Sequence, residues 1–396
     1  MCMRKFLLSG ILFFQFFSAG AQWVKCPLPA GVYPFSLAIH TDTIYLGTIS
    51  NGLYRSVNGG TSWTEINTGI VNKQIWTIYC TGNQIFAAAA NGNVYRSSNG
   101  GDSWVAANNG ISSTTIIKSF AAFDGKLFAA STNKGIYISG DNGNTWAQHN
   151  SGITGLVAST LLVAENDLFA GVLQLVYKYD KAGQTWISKS NGIPNNTVTC
   201  LTGLKDNSQN LKLFACSGNS KDVERSDNKG ESWVMANNGL PNVGVVSLTA
   251  VGTSVFAGND YGVYQTTDFG NNWTDVSTGF QLASQAGFIT PSSTDLYVLQ
   301  GAALWKRSLS ALGITGLNNH LREQKLTFFP NPAEDFISVE MSEPVVKTEI
   351  YSLSGSLAGQ YTTGNHKIEI KSLQTGLYFV KVYGATTIST GRFVKK

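Results

Sequence analysis

Short runs of alternating apolar and polar residues, each closed by Gly, Asn or Asp, fill this chain from about residue 30 to residue 308. Alternation at period two marks half-buried strands, and the Gly/Asn/Asp punctuation marks antiparallel hairpins. One stretch shows the full order. An apolar run from Thr115 to Ala122 leads to Asp124-Gly125, a strand from Lys126 to Ser131, Asn133-Lys134-Gly135, and a strand from Ile136 to Ser139. The Asp141-Asn142-Gly143 turn and a fourth strand from Trp146 complete it. The order recurs, because Trp23, Trp63, Trp104, Trp146, Trp186, Trp233 and Trp273 stand 40, 41, 42, 40, 47 and 40 residues apart. Four strands per period of roughly 41 residues predict one propeller blade per repeat.

A second signal counts the repeats. Gly31, Gly69, Gly110, Gly152, Gly192, Gly239 and Gly279 each follow a fourth strand and precede an apolar residue, which gives seven units. The seventh, about 286–308, has three strands and no closing Trp, whereas Trp23 to Cys26 stand at the other end with no strands before them. Residues 22–26 are therefore expected to supply the outer strand of the last blade, leaving no open sheet edge.

Most of the tryptophans end a stretch of the form Ser/Thr, any, Asp/Asn, any, Gly, any, any, Trp. It reads Ser56, Asn58, Gly60, Trp63; Ser97, Asn99, Gly101, Trp104; Ser139, Asp141, Gly143, Trp146; Ser226, Asn228, Gly230, Trp233; and Thr266, Asp268, Gly270, Trp273. A fourth copy, Tyr179 to Trp186, keeps only Gly183 and Trp186. This turn resembles the Asp-box of the bacterial-neuraminidase-repeat group, shared by sialidases and by photosystem assembly factors. Both the resemblance and the pattern imply a seven-bladed propeller over 22–310. Asn replaces the acid in three copies, so the expected role is structural. The side chain caps turn N–H groups, Gly takes positive φ and Trp packs between sheets. A calcium loop needs the charge that these copies lack.

The ends of the chain state a destination. Arg4 and Lys5, an apolar stretch from Phe6 to Phe17 and Ala19-Gly20-Ala21 form a secretory signal, so residues 1–21 are expected to be removed. No later window is apolar for the roughly 20 residues that a membrane span needs. After a linker at 311–324, residues 325–396 form a different all-β pattern, on its own terms a β-sandwich of about seven strands. Pro330-Asn331-Pro332 opens it. A Tyr351-to-Gly355 hairpin, Gly376-Leu377-Tyr378 and the terminal Lys395-Lys396 follow. In that order they resemble the C-terminal sorting domain, type A, of the type IX (Por) secretion system of the Bacteroidetes. The resemblance implies the type IX machinery as partner, and release or surface attachment after export.

Composition removes some functions. Without Arg4 and Lys5, 26 basic residues face 24 acidic ones and only 13% of the chain is charged, which offers nothing to nucleic acid or to an anionic membrane. The cysteines that remain after the leader, Cys26, Cys80, Cys200 and Cys216, read as small buried hydrophobes. Cys200 and Cys216 lie on adjacent strands, but the expected register puts them on opposite faces, against a bridge.

Chemistry should sit where propellers bind ligands, at the mouth built by loops entering the inner strands and joining strands two and three. The inner strands and the loops entering them hold no carboxylate, whereas glycosidases need two. Sialidases use a Tyr nucleophile and three converging arginines. Here Arg55, Arg96, Arg225 and Arg307 read as one repeated phase on third strands, which cannot converge. His40, His149, His320 and His366 have no ligand spacing, so neither a metal nor a cofactor is implied. Trp76, Lys134, Asp260 and Tyr261 are the mouth residues able to touch a ligand, although a Trp that opens an inner strand commonly packs in the core. The expected function is a non-catalytic surface or secreted binding protein for a glycan or protein. The alternative is a sialidase-like glycoside hydrolase or lyase drawing on Asp222, Glu224, Asp260 or Glu165.

Overall fold

A computed structural model describes residues 22–194, 197–217, 223–280, 286–314, 325–326, 328–339, 345–352, 357–362, 367–384 and 388–396. Residues 1–21, expected to be a leader, Asp222, His320, Gly355, His366 and most of the expected linker lie outside the described residues. The chain divides into two compact units, Met1–Thr315 and Gly316–Lys396.

Seven four-stranded antiparallel sheets make up the first unit. Blades 1 to 7 are named here by their inner strands, Pro34–His40, Ile75–Thr81, Ile117–Phe123, Ala158–Ala164, Val198–Lys205, Val245–Val251 and Ala286–Pro291. Each inner strand packs on that of the next blade, and the seventh packs on the first. Val24–Cys26 is the outer strand of blade 7, with Val24 opposite Lys306 and Cys26 opposite Leu304. Blade 7 is tied to blade 1 by Asp42, which accepts hydrogen bonds from the backbone N–H and hydroxyl of Ser293, both at 2.8 Å. The unit is a closed seven-bladed propeller. A 3-10 turn, Ser310–Leu312, packs back on it, and the Leu312 carbonyl accepts the Gln265 amide at 2.9 Å, so the compact unit runs past residue 310.

The core lies between blades rather than inside one. Every second strand carries a buried aromatic residue at one phase: Tyr45, Phe86, Phe128, Phe169, Phe214, Phe256 and Tyr297. Phe86 packs with Phe120 and Trp146 of the following blade. The repeating tryptophans hold these surfaces in register. Each indole N–H donates to a carbonyl at the end of the preceding blade. Trp63 reaches Pro27, Trp104 reaches Ile66, and Trp146 reaches Ala107. Trp186 reaches His149, Trp233 reaches Lys189, Trp273 reaches Ala236, and Trp23 closes the set on Val276, all within 2.7–3.0 Å. All are buried except Trp63, which is half-exposed. The glycine after the fourth strand, in every blade junction but that of Gly31, makes room for the backbone of the next tryptophan. At Gly110, with φ of 92°, an added Cβ would lie 2.0 Å from the Trp146 carbonyl oxygen.

A second set of inter-blade contacts corrects the arginine phase. Arg55, Arg96 and Arg225 donate to the carbonyls of Gly100, Asn142 and Phe269 in the next blade's turn. The fourth member is Lys306, which donates to the Gly59 carbonyl at 3.0 Å. Arg307, one residue later, faces the other side of the strand and donates to the Val276 carbonyl. A one-residue offset in a strand reverses the side-chain direction.

Cys200 and Cys216 form a disulfide, contrary to the expectation from sequence. A bulge between Val198 and Cys200 adds one unpaired residue to the inner strand, and pairing beyond it sets Cys200 directly opposite Cys216. The same bulge aligns Ser36 with Gly47, Ser119 with Ala130 and Ser247 with Gly258, so the bridge stands where these blades pair a serine with glycine or alanine.

In the second unit a five-stranded sheet and a three-stranded sheet carry eight strands, one more than the pattern indicated. Phe328, Ile337, Val339, Ile350, Val380 and Phe393 fill its core.

Replacing Trp146 with Ala should lower stability by about 3–5 kcal/mol, the range for large-to-small changes at aromatic core sites. Trp146→Phe, which keeps a six-membered ring but loses the five-membered ring and its donor, should cost less, about 2 kcal/mol. Urea denaturation of the two variants checks this. Equal losses would mean that the apolar ring contributes nothing beyond the hydrogen bond that both variants lose.

Candidate functional site

The bulge described at Val198 is not confined to blade 5. In every blade the pairing of inner and second strands slips at the same place, after Pro34, Ile75, Ile117, Ala158, Val198, Val245 and Ala286. Each slip leaves at least one residue without a ladder partner, and bulges commonly re-aim such a side chain. In blades 1, 2 and 3 these residues are Phe35, Trp76 and Lys118. The Phe35 and Trp76 rings meet edge to face with centroids 4.8 Å apart, and the Lys118 ammonium lies 5.1 Å from the Trp76 centroid. Contacts spanning three consecutive blades arise only where inner strands converge on the axis, so the cluster lines the ring near its mouth. Trp76 is half-buried rather than in the core. Its indole N–H is buried with no acceptor. Lys118 stays solvent-accessible, while the surrounding protein pushes its pKa down by desolvation.

The other expected mouth residues lie apart. Lys134 is in the strand two-to-three turn of blade 3, and Asn150 Nδ2 donates to its carbonyl at 2.9 Å. Asp260 and Tyr261 form the equivalent turn of blade 6, both exposed, with Asn259 Oδ1 capping the Tyr261 and Gly262 N–H groups. Sequence reasoning missed Phe35 and Lys118. Aligning the seven inner strands in phase would have put them in the same column as Trp76.

Of the carboxylates of the hydrolase alternative, Asp222 lies outside the described residues, and Glu165 and Asp260 do not converge. Glu165 sits in the turn joining the first and second strands of blade 4, and Asp260 in a turn joining the second and third, so they lie at opposite ends of six-residue strands. That is a separation of roughly 17 Å or more, against roughly 5–10 Å for glycosidase pairs. Lys229 at 3.0 Å and Lys205 at 3.2 Å hold Glu165, and the Lys229 hydrogen bond leads the lowering of its pKa, the reverse of a general acid. Glu224 is buried on the third strand, away from the inner strands.

Among the described residues the free thiols and His149 are held in buried surroundings. Burial pushes the Cys26 thiol up to about 11 and the Cys80 thiol up to about 12, so neither is a thiolate at neutral pH. His149 packs edge-on to Phe128 and Tyr179, and desolvation lowers its pKa. Among the described residues no cluster of His, Cys, Asp or Glu could hold a metal.

The turns before the tryptophans explain why Asn and Asp interchange. In blade 3 the Ser139 hydroxyl donates to Asp141 Oδ1 and accepts the Gly143 N–H, while Asp141 accepts the Thr145 N–H at 2.9 Å and hydroxyl at 2.6 Å. In blade 2 Asn99 Oδ1 takes the same two roles, and its Nδ2 donates to the Ser103 hydroxyl at 2.9 Å. Only the direction of the last bond changes, because a hydroxyl can donate or accept. Gly143 is required twice over. Its φ is 79°, and an added Cβ would lie 2.7 Å from Phe86. The fourth copy departs from the sequence reading. Gly183 is not left-handed; Gln184 takes φ of 48°, and Asp180 caps the N–H groups of Ala182 and Gly183.

In the second unit the residues carrying the sorting resemblance come together. Asn331 Oδ1 accepts the Val394 N–H at 3.0 Å, and Ala333 bonds to both Val394 and Lys396 through the backbone. Gly376 pairs with Lys395, and Tyr378 stacks on Phe393 with centroids 5.6 Å apart. Pro330 and Pro332 flank Asn331 on the surface.

Comparison with known proteins agrees with these two units. Residues 327–396 match the secretion system C-terminal sorting domain. The tail is a type IX sorting domain. Its presence supports a destination outside the cell or at the cell surface. Residues 77–238 match the DUF6242 β-propeller domain. No curated protein matches the chain. Similar solved structures include YCF48 from Cyanidioschyzon merolae, 13% identical with a TM-score of 0.56, covering 73% of this chain and 98% of that one. Virginiamycin B lyase from Staphylococcus aureus is 12% identical with a TM-score of 0.59, over 72% and 97% of the two chains. The GH74 xyloglucanase from Xanthomonas campestris is 13% identical with a TM-score of 0.57, over 80% and 59%. At these identities the likeness is one of fold.

Asp141 supplies a pH test. Hydrogen bonds led by the Thr145 hydroxyl hold its pKa at about 2, below the ordinary 3.8. A carboxyl depressed on folding stabilises above its unfolded pKa, and that contribution is lost as pH falls toward 2. Asp141→Asn should melt at the wild-type temperature at pH 7 and lose less stability between pH 4 and pH 2. Thermal melts across that range check it, and a large loss at pH 7 would contradict the interchange.

Proposed function

We propose that this chain is a non-catalytic binding protein, exported through the type IX route after Sec-dependent removal of residues 1–21, whose propeller mouth holds a glycan or a protein segment. The repeat is an Asp-box repeat in which the box serves architecture. The observation that carries this reading is the division of chemistry within the ring. The mouth presents an aromatic–lysine cluster, Phe35, Trp76 and Lys118, while Glu165 and Asp260 lie at opposite ends of their blades. Propeller relatives include both kinds of protein. One solved YCF48 structure is bound to a D1 peptide, and others are a lyase and a xyloglucanase. Binding by a propeller of this build therefore has a precedent that needs no catalytic pair.

A glycan array and a panel of chromogenic glycosides, applied to the full secreted chain, should give saturable binding without turnover. Turnover abolished by substituting Asp222, Glu224, Asp260 or Glu165 would replace this reading with the hydrolase one, and no saturable ligand of any kind would leave a purely structural surface component. Deleting residues 327–396 in a host with type IX secretion should hold the propeller inside the cell. Unchanged appearance in the medium, followed by immunoblot, would separate export from the tail.

A further inference from the structure

The rim of the mouth is built as one continuous surface. The strand two-to-three turns are stitched to the loop entering the next blade. Gly52 N–H donates to the Lys73 carbonyl, Gly92 N–H to Thr115 and Gly135 N–H to Leu156, at 3.0, 2.7 and 2.8 Å. The stitching fixes what the loops display, and over blades 1 to 4 they display aliphatic side chains and the exposed ring of Tyr33. Ile49, Val71 and Leu156 are all exposed, Val71 at 89%. Exposed apolar residues gathered on one fixed face mark a surface made for contact.

Charge on this sector has one sign. Lys73 is neutralised by Glu65 at 3.7 Å. Lys118 and Lys134 have no acidic partner among the described residues, and the one carboxylate in the described mouth turns, Asp260, belongs to blade 6 on the other side of the ring. An ammonium resting on an indole face with no counter-ion is half of an ion pair.

Resting on the binding reading above, we propose that the mouth over blades 1 to 4 takes an extended polypeptide segment carrying a carboxylate, seated on Lys118 beside Trp76, with the segment's apolar side chains on Ile49, Val71 and Leu156. The rim selects peptide over sugar. A sugar platform needs an open aromatic face ringed by hydrogen-bonding groups, whereas one face of Trp76 is covered by the Lys118 ammonium and its edge contacts Phe35; around it the exposed Tyr33 stands with the aliphatic Ile49, Val71 and Leu156. Such neighbours match Leu, Val or Met side chains. The buried, unpartnered Trp76 N–H adds a donor at the same place.

The test uses the full chain and two probe sets. One is a random decapeptide array printed twice, with Asp and Glu present and with the same positions as Asn and Gln. The other is a ladder of oligogalacturonides, which carry carboxylates on sugars. Acidic peptides should bind, their neutralised versions at least tenfold more weakly, and Lys118→Met should cost the same tenfold, about 1.4 kcal/mol. Lys118→Glu should lose the acidic set altogether, while Asp124→Asn, in the strand one-to-two turn at the far end of the same blade, leaves it unchanged; circular dichroism melts confirm that each variant is folded. Peptide binding indifferent to both the carboxylate and Lys118 overturns the proposal. Oligogalacturonide binding without peptide binding overturns it too, yet leaves the binding reading standing. Failure of every ligand in both sets and in the glycan array removes both.

Discussion

Every blade in this ring leans on the one before it through the same bond, an indole N–H given to a carbonyl at the end of the preceding sheet. The bond matters because the blades have little core of their own. Four short strands bury one face only against a neighbour, so the surfaces that meet must be held at one angle and one height. Tryptophan fits that requirement with a large apolar body and a single donor at its far end. The Asp-type turn orients the ring, the following glycine clears space for its carbonyl, and the third-strand cations repeat the tie from the opposite direction.

That bond is also why the fold could be read from the chain. Donor, turn and glycine stand at fixed offsets in each repeat, so the period of the tryptophans maps directly onto blades. The inner strands offered no such signal. Their bulge is a property of pairing, and the residues it leaves over, from Phe35 and Trp76 to Lys118 and Thr199, share no type. The same silent extra residue reversed the expected faces of Cys200 and Cys216 and concealed a disulfide. Arg307 was misplaced for a related reason, since a single step along a strand exchanges one side of the sheet for the other. The tail was legible because its cues, Pro-Asn-Pro and Gly-x-Tyr, lie in sequence order and meet in space.

The chemistry of the ring is divided in an orderly way. Carboxylates in strand one-to-two turns and boxes are held by lysines, hydroxyls and backbone N–H groups, as at Glu165 and Asp141, and among the described mouth turns only that of blade 6 carries one, Asp260. The mouth is left aromatic, aliphatic and sparsely cationic. Seven near-identical blades thus produce a surface that is not seven-fold at all, because the bulge position is free of packing duties and each blade fills it differently.

The pairing of Val24–Cys26 with the third strand of blade 7 has a temporal meaning. The strand Val24–Cys26 finds its partner only after residues 303–308 exist, nearly three hundred positions later. Until then the sheets form a strip with two raw ends, and the Cys26 side chain, buried in the finished protein, stays uncovered. Completion of the circle is therefore an all-or-none event that waits for almost the whole domain to be made.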